Sequence, residues 1–262
     1  MKKIWTVCFL MLLLAVPALA KSRYINIWIP KEAFSDSDVS IDVEPDDLRV
    51  TRYALYPWDK TGTRFSLFVE VENTSSEKIV IDETWLFMTK ENRKTIAVLP
   101  YIFRCVDNVL SPGETGLLHA GAVPYRQVDE KAPEGYTDIE GMENFSECIR
   151  QAPVLCVRLQ VRGEESRADW KHLDGNSYAE VRDGKIILNV DEKNRGDETR
   201  CQAILSDRKG RILDVLLENP RAYFYERNME MPQGVLTLEK LLAPYVTESM
   251  IDGAVLDVQI VN

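Results

Sequence analysis

The chain has 262 residues, 45% of them apolar, and a formal net charge of −10. That length suits one large domain or two small ones, and the apolar content supports a folded core rather than a disordered or low-complexity chain. The negative balance argues against nucleic acid and anionic membranes as partners, because both are held mainly by clustered Lys and Arg side chains.

The N-terminus carries Lys2 and Lys3, then an apolar run from Ile4 to Val16, then Ala18-Leu19-Ala20. A basic start, a short apolar stretch and a small-x-small site form the pattern of an export signal, which places the mature start at Lys21. The run is too short for a membrane-spanning helix. Trp5-Thr6-Val7 ahead of Cys8 is not a lipobox, and no later apolar run reaches membrane length. The expectation is a periplasmic or secreted protein with no stable membrane insertion.

Residues 21–44 open with a strand-like run, Tyr24–Ile29, closed by Pro30. The acidic stretch 36–47 follows. Its carboxylates could chelate calcium, but the spacing departs from the EF-hand loop, and a solvated connector is the simpler reading. The alternation in Phe65–Asn73, FSLFVEVEN, points Phe65, Leu67 and Val69 to one side of a strand. Further strands are expected at Ile79–Met88, Thr95–Leu99, Gly116–Val123 and Val154–Val161. A polar stretch near residues 163–174 marks a boundary. Beyond it come Ile186–Val190, Thr199–Leu205, Ile212–Leu217, Ala222–Tyr225 and Val255–Val261. Short helices are expected around Leu238–Leu242 and after Ser146 and Thr247, which suit N-caps.

Landmarks recur along the chain. Tyr53-Ala54 matches Tyr178-Ala179, and Asn73 matches Asn194. Pro100, Asn108 and Pro112 match Pro220, Asn228 and Pro232, with Gly113 and Gly234 soon after; Val154 matches Val255. One insertion of about 19 residues in the first copy, within residues 122–144, reconciles the offsets. Many short strands separated by polar turns indicate β-sandwiches. The fold expected is all-β: two tandem immunoglobulin-like sandwiches with minor short helices, at residues 45–162 and 175–262, preceded by the signal (1–20) and an N-terminal strand and acidic connector (21–44), and joined by a linker at 163–174.

A strand running into VENTSSEKI, a strand ending in Leu205-Ser206-Asp207-Arg208-Lys209-Gly210-Arg211, and a Pro-Gly signal before the closing strands together resemble the bacterial FxLYD-type immunoglobulin-like domains. The naming signature itself is absent, and Lys90-Glu91-Asn92-Arg93 replaces the expected turn in the first copy. The resemblance implies an extracytoplasmic sandwich with a structural or interaction role and no shared catalytic residues.

No nucleophile elbow, zinc-protease helix, P-loop or dinucleotide fingerprint occurs. His119 reads as a strand residue and His172 as linker surface. Four cysteines lie beyond the signal, with no zinc-site spacing. An exported protein favours a disulfide; Cys105, Cys148 and Cys156 are the candidates, Cys105–Cys148 is the preferred pair, and Cys201 suits a buried free thiol. Cys156 alternates with Arg158 and Gln160, so it is expected on a polar face. Trp85 and Phe87 read as core. The candidate binding residues are Trp58, in a turn, and Tyr125, Arg126 and Tyr136 in the insertion, since Tyr, Trp and Arg are the usual interface anchors. No cofactor and no metal site are expected. Two functions compete: a non-catalytic binding or scaffold protein with an unknown protein or glycan partner, and an extracytoplasmic carboxylate-type hydrolase acting on glycans, which would need two placed carboxyl groups.

Overall fold

The computed structural model describes residues 22–34, 39–58, 64–99, 108–124, 154–163, 177–194, 196 and 199–261. The proposed signal, Tyr125, Arg126, Tyr136, Cys105, Cys148 and His172 lie outside them. The fold is all-β, with several antiparallel sheets and, among the described residues, two short α-helices.

The strands are β1 Arg23–Pro30, β2 Asp42–Glu44, β3 Leu48–Pro57, β4 Arg64–Asn73, β5 Ile79–Thr89, β6 Thr95–Leu99, β7 Val109–Leu110, β8 Thr115–Pro124 and β9 Val154–Gly163, followed by β10 Tyr178–Arg182, β11 Lys185–Val190, β12 Arg200–Ser206, β13 Ile212–Glu218, β14 Leu236–Leu241 and β15 Val255–Val261. The helices are α1 Pro220–Glu226 and α2 Glu248–Ile251.

Four sheets pair into two sandwiches. The first stacks the sheet ordered β2-β1-β9-β5-β6, with β7 also on β5, against β3-β4-β8. Its core takes the inward residue of each pleat: Ile25, Ile27 and Ile29 from β1, Phe65, Leu67 and Val69 from β4, and Leu155, Val157 and Leu159 from β9, all fully buried. Each such side chain contributes roughly 1.5–3 kcal/mol of burial. The second stacks β10-β11-β14 against β13-β12-β15 around Ile186, Leu188, Val190, Cys201, Leu205, Leu236 and Leu238. From β3 onward both sandwiches follow one plan. The first two strands and the penultimate one make one sheet; the fourth, third and last make the other.

Several local expectations change. β1 is not an appendage to the first sandwich but lies inside its larger sheet, paired with β9 over its whole length. The acidic connector is partly strand β2, whose Asp42 and Glu44 both pair with Arg93 while staying exposed to water. Ala222–Tyr225, expected as strand, is in helix α1. Asn219 caps it, its side chain accepting from the Ala222 amide at 2.9 Å, and Pro220 sits in the first turn where no amide is needed. Leu238–Leu242, expected as helix, belongs largely to β14, because pairing with β11 sets its period at two. Thr247 does stand at the N-cap of α2, where its hydroxyl lies 3.0 Å from that of Ser249 and makes no bond to the helix backbone.

The turns are set locally. Asp183 and Gly184, with φ of 51° and 70°, close the β10–β11 hairpin in a two-residue loop of the primed kind that matches strand twist. Asn73 organises the loop after β4: its amide donates to the carbonyls of Glu77 and Leu110 at 2.8 Å, and its oxygen accepts from Ser75.

The two sandwiches touch through the outer face of β3-β4-β8 in the first and of β13-β12-β15 in the second. Ala54, Phe68 and Leu117 from the first pack on Ile204, Ile212 and Val215 from the second. Strand β4 is therefore buried on both faces, not half-buried as its alternation suggests.

Candidate functional site

A cleft of about 850 Å³ lies at the seam between the sandwiches. Its floor is five consecutive residues of β3, Arg49 to Tyr53. One wall is the N-terminal stretch around Val39–Val43 and the other the β12–β13 turn at Lys209–Arg211. Among the described residues β3 pairs only with β4, so its second edge faces this cleft.

The floor depends on a bulge. The β3–β4 register shifts between Val50 and Arg52. Arg49 and Arg52 are three apart and would face opposite sides of a regular strand. The extra residue, Thr51, brings both to one side, opposite Glu72 and Glu70, which are two apart. Both ion pairs form. Arg52 also reaches across the seam: Nε donates to Glu70 Oε1 at 3.0 Å, while Nη1 donates to Ser206 Oγ at 3.3 Å and to the Gly210 carbonyl at 3.4 Å. The opposite wall is built by Asp207. Its carboxylate accepts from the amides of Lys209 and Arg211 and from Arg211 Nε at 2.8–2.9 Å, and Gly210 takes φ of 78° to close the turn.

The electrostatics follow from those pairs. Burial pushes the Glu70 carboxyl up, but hydrogen bonds from Arg52 and Thr51 and the Arg52 charge outweigh it, so it is held below the usual carboxylate range. Asp207 is held low in the same way: burial acts upward and the bonds from Arg211 and Lys209 prevail. Beside the cleft, Tyr56 stacks on Tyr245 across the seam with centroids 4.6 Å apart, and burial raises both phenols. Carboxylates held low and phenols held high make a surface that keeps its charge constant near neutral pH.

Of the sequence-expected residues, Trp58 is half-buried beside this seam, its Nε1 donating to Ser66 Oγ at 2.8 Å. Tyr53 and Tyr56 are drawn into the cleft floor and the seam. His119 stacks on Phe68, 4.8 Å between centroids. Among the described residues no group of three or more His, Cys, Asp or Glu is placed to hold a metal ion, and no helix is long and apolar enough to cross a membrane.

Cys156 corrects one expectation and qualifies another. It is a free thiol, and it stands on the outer face with Arg158 and Asn26, as alternation places it, yet it is only 1% exposed. It packs with Trp28, Phe87, Trp85 and Val154 on the outer side of the larger sheet. Arg93 lies 4.8 Å over the Trp28 ring and Arg158 4.8 Å over Phe87, so an aromatic layer capped by guanidinium groups covers the sulfur. Trp85 and Phe87 belong to this outer layer, not to the sandwich core. Burial pushes the Cys156 thiol up to about 12, and Cys201, free and buried as expected, is raised equally by burial. Neither is an activated nucleophile.

Arg52 and Glu70 are not singled out by the sequence, and the Asp207 turn stands there only as part of a resemblance, not as a site. The turn motif SDRKGR was visible, with Asp ahead of Gly, but nothing in one sequence shows which strand it meets. In comparisons with protein-family models, curated proteins and solved structures, nothing matched the chain.

Proposed function

We propose that this is an exported, non-catalytic binding or scaffold protein, built from two immunoglobulin-like sandwiches that arose by duplication, with the β3 cleft as its recognition surface for a protein or glycan partner. Export rests on the Lys2-Lys3, apolar and Ala-Leu-Ala series of the first twenty residues. Duplication is supported by the shared strand plan and by the landmarks: Asn73 ends β4 and Asn194 follows β11, Gly113 and Gly234 carry positive φ ahead of β8 and β14, and Val154 and Val255 open β9 and β15.

The observation that carries the binding reading is the edge of β3 that runs along the cleft. A glycoside hydrolase needs one carboxyl with a raised pKa to donate a proton. Glu70 and Asp207, beside the lining residues Arg52 and Arg211, are each tied to an arginine and shifted the other way. A strand edge that lines a cleft offers instead main-chain donors and acceptors to an extended ligand.

The test is a photo-crosslinking amino acid at Thr51, exposed on the cleft floor, with Lys90, in the exposed β5–β6 turn, as control. In the native envelope the expected result is one adduct from position 51 and none from position 90. Glycan turnover by the purified protein that vanishes in Glu70→Gln would overturn the reading in favour of hydrolysis.

A further inference from the structure

The two sandwiches differ at one edge, and the difference predicts a second docking surface. In the first, the closing strand β9 is an interior strand: β5 pairs with one side and β1 with the other. In the second, the corresponding strand β15 pairs with β12 on one side and, among the described residues, with nothing on the other. Among the described residues no strand takes beside β15 the position that β1 fills beside β9.

That edge lacks most of the devices that usually blunt an exposed strand. Val255–Val261 holds no proline, no lysine and no bulge, and its single charge is Asp257. The flank around it is apolar. Val255 is 63% exposed and Tyr178, on β10 of the facing sheet, 57%. Leu256, Val258, Val181 and Met250 lie half-buried at the margin of the second core. Strand β10 is itself an edge, pairing only with β11 among the described residues. The first sandwich shows what seats on such a flank. β1 runs antiparallel to β9 and sends Ile25, Ile27 and Ile29 into the core, all fully buried, while Tyr24, Asn26 and Trp28 face outward.

We infer that β15 accepts an extended strand from a partner protein, antiparallel to it and carrying branched apolar residues at alternate positions, as β1 does on β9. Main-chain bonds supply affinity and the alternate side chains supply register and selectivity. This surface is distinct from the β3 cleft, and the inference stands whatever the cleft binds.

The experiment uses the full chain and a labelled synthetic peptide of the β1 sequence, RYINIWIP. Fluorescence polarisation follows binding, and amide hydrogen exchange locates it. Two control peptides carry N-methyl groups on alternate residues, one in each phase, since only one set of amides points at an acceptor strand. The expected result is saturable binding, slowed exchange at residues 255–261, and at least a tenfold loss of affinity for one N-methyl phase but not the other. The inference is overturned by the absence of saturable binding, by protection appearing on β9 or β3 instead, or by equal binding of both N-methyl peptides. It is also overturned if sedimentation shows that β15 is already occupied by a second copy of this chain, an association that Val255→Lys would dissolve.

Discussion

At the residue scale the structure turns on Arg52. One guanidinium neutralises Glu70, whose side chain is 13% exposed, and joins the two sandwiches through Ser206 and Gly210. Replacing it with methionine keeps the aliphatic stem and strands the carboxylate. Because Arg52 itself is 33% exposed, the expected loss is roughly 1–3 kcal/mol, between the values for surface and buried pairs. The pH dependence has a definite sign. The Glu70 pKa in the folded protein lies below its ordinary 4.5, so its contribution is present above about 4.5 and lost as pH falls through the folded value. Denaturant titrations of the parent and Arg52→Met should therefore differ at pH 7 and converge as the pH falls through the folded value. A gap that persists unchanged in acid would mean that the arginine acts through packing alone.

At the element scale the bulge in β3 is the feature to test. Thr51 stands outside the alternation: Leu48, Val50, Tyr53 and Leu55 face the first core while Arg49, Arg52, Ala54 and Tyr56 face the other way. Deleting Thr51 leaves Arg49, Val50 and Arg52 opposite Glu72, Val71 and Glu70 in a regular strand, so every side chain keeps its face. The prediction is a loss of only about 1 kcal/mol, the worth of the Thr51 hydroxyl's bond to Glu70, seen as a small drop in the urea midpoint. Thr51→Ala, which removes the same hydroxyl and keeps the bulge, should cost about as much.

At the scale of the whole molecule, the question is whether the sandwiches unfold together. Phe68 is fully buried, yet it belongs to neither sandwich core; it packs on Ile204, Ile212 and Val215 across the seam. Truncating such a phenylalanine costs about 3–5 kcal/mol. Most of that loss falls on the coupling between sandwiches, since their own cores are untouched. The parent should show one calorimetric transition and Phe68→Ala two. A single, merely lowered transition in the variant would place the coupling elsewhere, with the Arg52 bonds and the Tyr56–Tyr245 stack as the remaining connections.

Local chemistry made much of this legible in the chain itself. Alternation located β1, β4, β5, β9, β12, β13 and β15 to within a residue or two, because a strand with one face in a core must repeat every second residue. Where two signals competed, tertiary pairing decided. The leucines of Leu236–Leu241 suit a helix until β11 imposes strand geometry, whereas Asn219-Pro220 was a readable helix start that the aromatic run behind it obscured. What no reading of one strand can supply is what covers its second face. Phe68 looked solvent-facing and is buried by the other sandwich. Cys156 looked polar and is buried under an aromatic layer from β1 and β5. Arg52 gained its importance from residues more than 150 positions away. Period-two patterning is a local property of the backbone and so is written in sequence. The partner of an outer face is set by how sheets stack, and only the folded chain decides it.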